Sequence, residues 1–283
     1  MILLVIGFGA FYVNPDNWTP FLPENTGVRG EFGVSGMLLA SGIIFFAYIG
    51  FDAVSTAAQE ARNPSRDMPV AIIASLLICT VLYIVMAAVL TGIVPFRVLN
   101  DAAPVAVALL AHEGLRWLAP WVIVGAIAGM TSVMLVMTLA QARIFLSMSR
   151  DGLLIPALGR VHAKYRTPHV ATLVTGIGSA AIGGLFPIVV LGGMVSIGTL
   201  VAFIVVCAGV LILRRTRPDL PRPFRVPAVR VVATLGMAFC GLMAVSLPIG
   251  TWWRLVIWTA IGVVIYVAYG FRNSALRKAS AER

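Results

Sequence analysis

Residues 41–69 read Ser-Gly-Ile-Ile-Phe-Phe-Ala-Tyr-Ile-Gly-Phe-Asp-Ala-Val-Ser-Thr-Ala-Ala-Gln-Glu-Ala-Arg-Asn-Pro-Ser-Arg-Asp-Met-Pro, and the fold is decided by what this stretch can be. It continues an apolar segment, Val34–Glu60, long enough to cross a bilayer, yet it carries one carboxylate, Asp52, just beyond Gly50 and Phe51. An ionisable group at the centre of a spanning helix costs about 2.5–3.5 kcal/mol on insertion scales, so it faces a partner or a watery cavity inside a bundle. Asp52 is therefore a functional-site candidate on energetic grounds alone.

Composition supports a membrane setting. Of the 283 residues 60% are hydrophobic and 11% charged, against about 25% charged in soluble domains. Mean hydropathy is +0.97. Apolar runs of about 20 residues recur, and helices of that length satisfy their own backbone hydrogen bonds in lipid. The chain reads as an all-α integral membrane protein, and a soluble core is excluded. A net charge of +10 raises the question of nucleic acid. The basic residues are scattered between apolar segments, however, with no basic, aromatic-interleaved face, so no nucleic-acid partner is expected. Cys79, Cys207 and Cys240 fall inside apolar segments without metal-ligand spacing and read as small buried residues; no metal or cofactor is expected.

From this stretch the remaining segments fall into place. Ile2–Val13 is apolar but only about 18 Å long as a helix, against a hydrocarbon core of about 30 Å, which predicts a half-span. Pro15, Pro20 and Pro23 make 14–33 an irregular loop. Beyond the Asn63-Pro64 break, Pro69 suits the first turn of a helix, with Val70–Val94 as the next span. Val105–Ala111 is too short to cross, and Pro120–Met148 is long enough to imply tilt or extension past the bilayer. Val170–Val190 and Leu191–Leu213 read as spans joined by a turn at Gly192-Gly193. Val231–Leu247 and Trp252–Phe271 complete seven full spans and one half-span.

Charge placement tests this alternation, because cytoplasmic loops collect Lys and Arg. Of the 21 Lys and Arg residues, only Arg29, Arg97, Arg116 and Arg254 fall on one side; the rest fall on the other. The bias requires every span to keep the loops in phase, and it puts the carboxy terminus in the cytoplasm.

Three motifs carry candidate chemistry. Phe46, Ala47, Tyr48, Ile49, Gly50 and Asp52 combine a flexible glycine, aromatics and a carboxylate at membrane depth, as in discontinuous helices whose opened backbone contacts a substrate. The plain alternative is a packed helix whose Asp52 bonds a neighbour. Gly125 and Gly129, followed by Met130, Thr131 and Ser132, offer either small-residue helix packing or hydroxyls along an ion path. Glu60, Arg62, Arg66 and Asp67 form either a cytoplasmic gate latch or a solvated loop.

These residues resemble the bacterial cationic amino acid transporter group of the amino acid–polyamine–organocation superfamily. The resemblance rests on Phe45–Thr56, on Glu60-Ala61-Arg62-Asn63-Pro64, on Met148-Ser149-Arg150-Asp151-Gly152 and on Arg217–Arg225, and it covers essentially the whole chain. It departs from the pattern at Gln59, Ile155 and Ser196, none of which is expected to touch the pocket.

The resemblance implies a partial LeuT-like inverted-repeat transporter fold: 1–13 as the end of helix five, 34–213 as the second repeat, helices six to ten, and 231–271 as helices eleven and twelve. Helices one to four would then lie outside this chain. It implies an amino acid as substrate and protons as coupling ion in the cell (inner) membrane. Phe46 would occlude the site, Tyr48 and Ile49 would contact the substrate, Asp52 would meet a cationic end, and Met130 or Met134 of the long span would reach the pocket. The leading expectation is secondary active transport by alternating access, without enzymatic activity, and the chain alone is expected not to take up amino acid. The alternative is a non-transporting membrane subunit or pseudo-permease that needs a partner chain supplying the absent helices.

Overall fold

The computed structural model describes residues 1–28, 30–50, 63–99, 103–222 and 224–274. Among them the regular structure is helical: α1 (Ile2–Gly9), α2 (Gly33–Ile44), α3 (Pro64–Ile93), α4 (Pro104–Leu110), α5 (Leu118–Arg150), α6 (His169–Leu185), α7 (Ile188–Thr216), α8 (Val229–Ser246) and α9 (Ile249–Ile265). α9 runs on through one π turn, Tyr266–Gly270, into Phe271–Asn273. Five helices are long and apolar enough to cross a membrane: α3, α5, α7, α8 and the extended α9. Ile2–Tyr12, Gly33–Tyr48 and His169–Leu185 are apolar but shorter, so two of the seven expected full spans fall short among the described residues. None of the apolar window of α3 or α5 is buried by the rest of the chain, which leaves those surfaces for lipid or protein to cover.

Three separate cores hold the helices. The first joins α1, α3, α4 and the start of α5 through Val5, Val89, Ile93, Leu109, Leu115 and Leu118. Gly9 is essential there, since a Cβ would lie 2.7 Å from Val89 Cγ1. Across the end of α3 the following loop is pinned by Asn14 N–H and Asn17 Nδ2, both donating to the Gly92 carbonyl at 2.9 and 2.7 Å. The second core joins α7 and α8 through Ile197, Leu200, Ala244 and Leu247, with Ile43 and Phe45 packed against it. α2 lies against α8 at Gly42, where a Cβ would stand 3.0 Å from the Met243 carbonyl oxygen, and Ser246 Oγ donates to the Leu38 carbonyl at 3.0 Å. A third, smaller core of Ala142, Leu158 and Ala171 ties α5 to α6.

Two boundaries differ from the sequence reading. α3 begins at Pro64 rather than Pro69, because Asn63 takes a non-helical conformation before proline and Asp67 Oδ2 accepts the Asn63 N–H at 3.2 Å. The turn between α6 and α7 falls at Phe186-Pro187, not at Gly192-Gly193. Phe186 is extended, as a residue preceding proline favours, and Pro187 caps α7. Both glycines sit inside α7, where a Cβ at Gly193 would make ordinary contact with Thr251 Oγ1 at 3.4 Å. The cysteines are also less buried than expected, Cys207 and Cys240 being intermediate and Cys79 exposed.

Candidate functional site

α2 stops well short of its apolar limit. After Ile44 the chain tightens into a 3-10 turn, Phe45–Tyr48, then Ile49 is extended (φ −65°, ψ 131°) and Gly50 has φ +133°. Glycine alone reaches that φ without strain. Ending a helix inside an apolar bundle leaves its last carbonyls without helical partners, and each must be satisfied elsewhere. Here two of the partners come from other helices. Buried Ser196 of α7 donates its hydroxyl to the Ile43 carbonyl at 3.2 Å. Tyr83 of α3 donates its phenol to the Ala47 carbonyl at 3.1 Å. The Phe46 carbonyl accepts Ile49 N–H at 3.1 Å.

The opened stretch adjoins three helices. Phe45 meets Phe203 of α7 edge to face at 6.0 Å. Phe46, 42% exposed, lies over Gly192, where a Cβ would touch its ring at 3.7 Å. Tyr48 and Tyr83 meet edge to face at 5.1 Å, and Gly50 looks towards Met137 Cε of α5. Between the opened stretch and α3 is a cavity of about 270 Å³, with Ala47, Tyr48, Ile49 and Gly50 on one wall and Ser75, Leu76, Cys79 and Tyr83 on the other. Those α3 residues share one face by their spacing of four. The cavity offers two phenols, a serine, a thiol and backbone carbonyls among apolar surfaces. Among the described residues no three His, Cys, Asp or Glu side chains gather as a metal site.

The expected residues are distributed unevenly. Phe46 lies over Gly192, outside the cavity wall that Ala47, Tyr48, Ile49 and Gly50 build. Asp52, Glu60 and Arg62 lie outside the described residues. Asp67 accepts the Asn63 N–H at the start of α3, and Arg66 is exposed beside it. Met130 and Met134 are exposed on α5 at 67% and 62%, and the methionine that approaches Gly50 is Met137. Thr131 is exposed and spends its hydroxyl on the Ile127 carbonyl; Ser132 is exposed too. Ser196, expected not to touch the pocket, is not among the residues lining the cavity; it bonds the end of α2, where α7 crosses the break. Ser75, Cys79, Tyr83 and Met137 were missed. The available signal was a tyrosine, a cysteine and a serine at 83, 79 and 75, one helical face of an otherwise apolar span.

The family model described as amino acid permease matches residues 1–269. The chain is 42% identical over 278 residues to the branched-chain amino acid permease BcaP of Bacillus subtilis (strain 168), covering 98% of this chain and 58% of that protein. It is 44% identical over 278 residues to the methylthioribose transporter of the same organism, with the same coverage of 98% and 58%. To the vacuolar cationic amino acid transporter 4 of Arabidopsis thaliana it is 40% identical over 219 residues, covering 77% of this chain and 36% of that protein. The chain thus spans 58% of the length of the two bacterial relatives. With a family match along nearly all of it and apolar helices throughout, this multi-pass membrane chain belongs to the amino acid permease family of the amino acid–polyamine–organocation superfamily.

Proposed function

We propose that the protein works in secondary active transport of amino acids across the cell membrane, by alternating access around the break after α2 and coupled to protons. The observation that carries this reading is the opened turn at 45–50, with its cavity against α3. Such a turn presents backbone dipoles, and every amino acid brings the same hydrogen-bonding α-amino and α-carboxylate groups. The carbonyl end of α2 carries the negative end of the helix dipole, which favours a substrate ammonium group. Phe46 closes over the site from the α7 side, and Asp52 pairs with the side chain of a basic substrate. The arginine-rich loops lie in the cytoplasm with the carboxy terminus, in keeping with the positive-inside bias. Because the relatives are longer, transport belongs to the assembled permease, whether its other helices lie in the same polypeptide or in a partner chain.

A second reading of substrate class rests on the described walls, which are largely apolar around Ile49, Leu76 and Cys79. They favour an uncharged aliphatic side chain, as the name of the branched-chain relative suggests. One experiment separates the two. The chain is joined to the portion of the B. subtilis branched-chain permease that it does not span, and uptake into proteoliposomes is measured under an imposed proton gradient. If Asp52 meets a basic side chain, Asp52→Asn lowers arginine uptake more than tenfold and leaves leucine uptake nearly intact, as removing a charge partner predicts. Equal losses would refute the pairing and favour the aliphatic reading. Absence of uptake of either amino acid by the unsubstituted protein would refute transport itself.

A further inference from the structure

We propose that the joined ends of α7 and α8 bind a phosphate oxyanion, the headgroup phosphate of an anionic phospholipid. A cavity of about 250 Å³ lies there, lined by Leu211, Arg214 and Arg215 of α7 and by Val229, Arg230 and Thr234 of α8. A water molecule's share of liquid volume is about 30 Å³, so the space holds a phosphate group together with several waters. Three guanidinium-bearing side chains and one hydroxyl line it, while Leu211 and Val229 supply an apolar margin for the glycerol and the start of an acyl chain.

The neighbouring loop shows that these cations are not merely caps. Arg222 is consumed structurally: its guanidinium donates to the carbonyls of Pro218, Leu220 and Arg217 at 2.7, 3.0 and 2.6 Å and lies 3.4 Å from that of Leu213, closing the end of α7. Among the described residues Arg214, Arg215 and Arg230 make no such bond, and the ion pair found is Glu113–Arg116, elsewhere in the chain. Asp219 in the intervening loop makes no salt bridge with any of them. α8 also begins without a side-chain cap, at Ala228 in the left-handed region (φ 45°, ψ 41°), so its first N–H groups add to the positive field. Arginine forks suit phosphate oxygens, and basic hollows between membrane helices at headgroup level take anionic lipids. The inference is independent of which solute the cavity at α3 accepts.

The test uses the chain purified in detergent. It is titrated with phosphatidylglycerol, with phosphatidylcholine and with inorganic phosphate, and bound states are counted by native mass spectrometry. Phosphatidylglycerol is expected to bind in preference to phosphatidylcholine. The triple variant Arg214→Gln, Arg215→Gln, Arg230→Gln should weaken it on the order of a hundredfold, since each basic residue at a membrane surface contributes roughly a fivefold gain. A control triple, Arg150→Gln, Arg160→Gln, Arg166→Gln, removes the same charge outside the cavity and should leave affinity unchanged. Thr234→Trp keeps every charge but fills the hollow, and it should also abolish preferential binding. If inorganic phosphate binds in the same arginine-dependent way and displaces the lipid, the oxyanion site stands and free phosphate becomes its ligand. Equal losses in both triple variants, or undiminished binding in Thr234→Trp, would overturn the site and leave only diffuse surface charge.

Discussion

The segment that begins with α2 and the helix α7 are both apolar and both carry glycine, yet the first opens and the second does not. Gly192 and Gly193 sit in the unbroken second turn of α7, where a Cβ would make only ordinary contact with Phe46 and Thr251. Gly50 stands at φ +133° beyond a helix that has already ended. Glycine alone therefore does not open a membrane helix. The difference lies in the freed carbonyls: around the end of α2, the part-buried one of Ile43 meets a hydroxyl from α7 and the exposed one of Ala47 meets a phenol from α3, partners that a lipid setting would not otherwise supply.

Substitutions can break this contrast from either side, each measured as uptake by the joined, full-length form. Gly50→Val should do most damage, because a β-branched residue at that φ is strained by roughly 1–3 kcal/mol; a loss between about fivefold and a hundredfold is expected. Ser196→Ala comes next. It leaves the part-buried Ile43 carbonyl without its partner, which should cost about 1–2 kcal/mol, visible as a lower melting midpoint in detergent as well as slower uptake. Tyr83→Phe keeps the ring against Tyr48 and removes only the phenol from the Ala47 carbonyl, so the expected penalty is about 1 kcal/mol or less. Gly192→Ala should be nearly silent, since the added methyl makes an ordinary 3.7 Å contact with Phe46 and alanine is the better helix former by about 1 kcal/mol. If Gly192→Ala hurts as much as Gly50→Val, the two glycines play equivalent parts and the contrast fails.

Much of this was legible in the chain. The apolar segments, the half-length first element and the interruption near Gly50 follow from hydropathy and from a carboxylate that a plain lipid-facing helix would not tolerate. What escaped was set by tertiary contact. Nothing in the local sequence says that Ser196 crosses the end of α2, or that Tyr83, more than thirty residues beyond Ala47, donates to it. The α6–α7 boundary was misplaced because it was read from the Gly-Gly pair alone, whereas the proline of Phe186-Pro187 constrains its predecessor and removes a donor while glycine merely permits a turn. Met137 rather than Met130 or Met134 reaches Gly50 because rotation of α5 about its axis is fixed by packing on α4 and α6, and a helix apolar all round offers no face from which to read it.

The most direct test uses Cys79, which lines the cavity facing Gly50. With Cys207 and Cys240 replaced by serine in the joined permease, modification of Cys79 by a small thiol reagent is timed with and without a saturating transported amino acid. Occupancy of the opened turn should slow the reaction severalfold, and a non-transported amino acid should not. An unchanged rate, in a protein that still transports, would mean that the solute passes elsewhere and that the break after α2 is not where it binds.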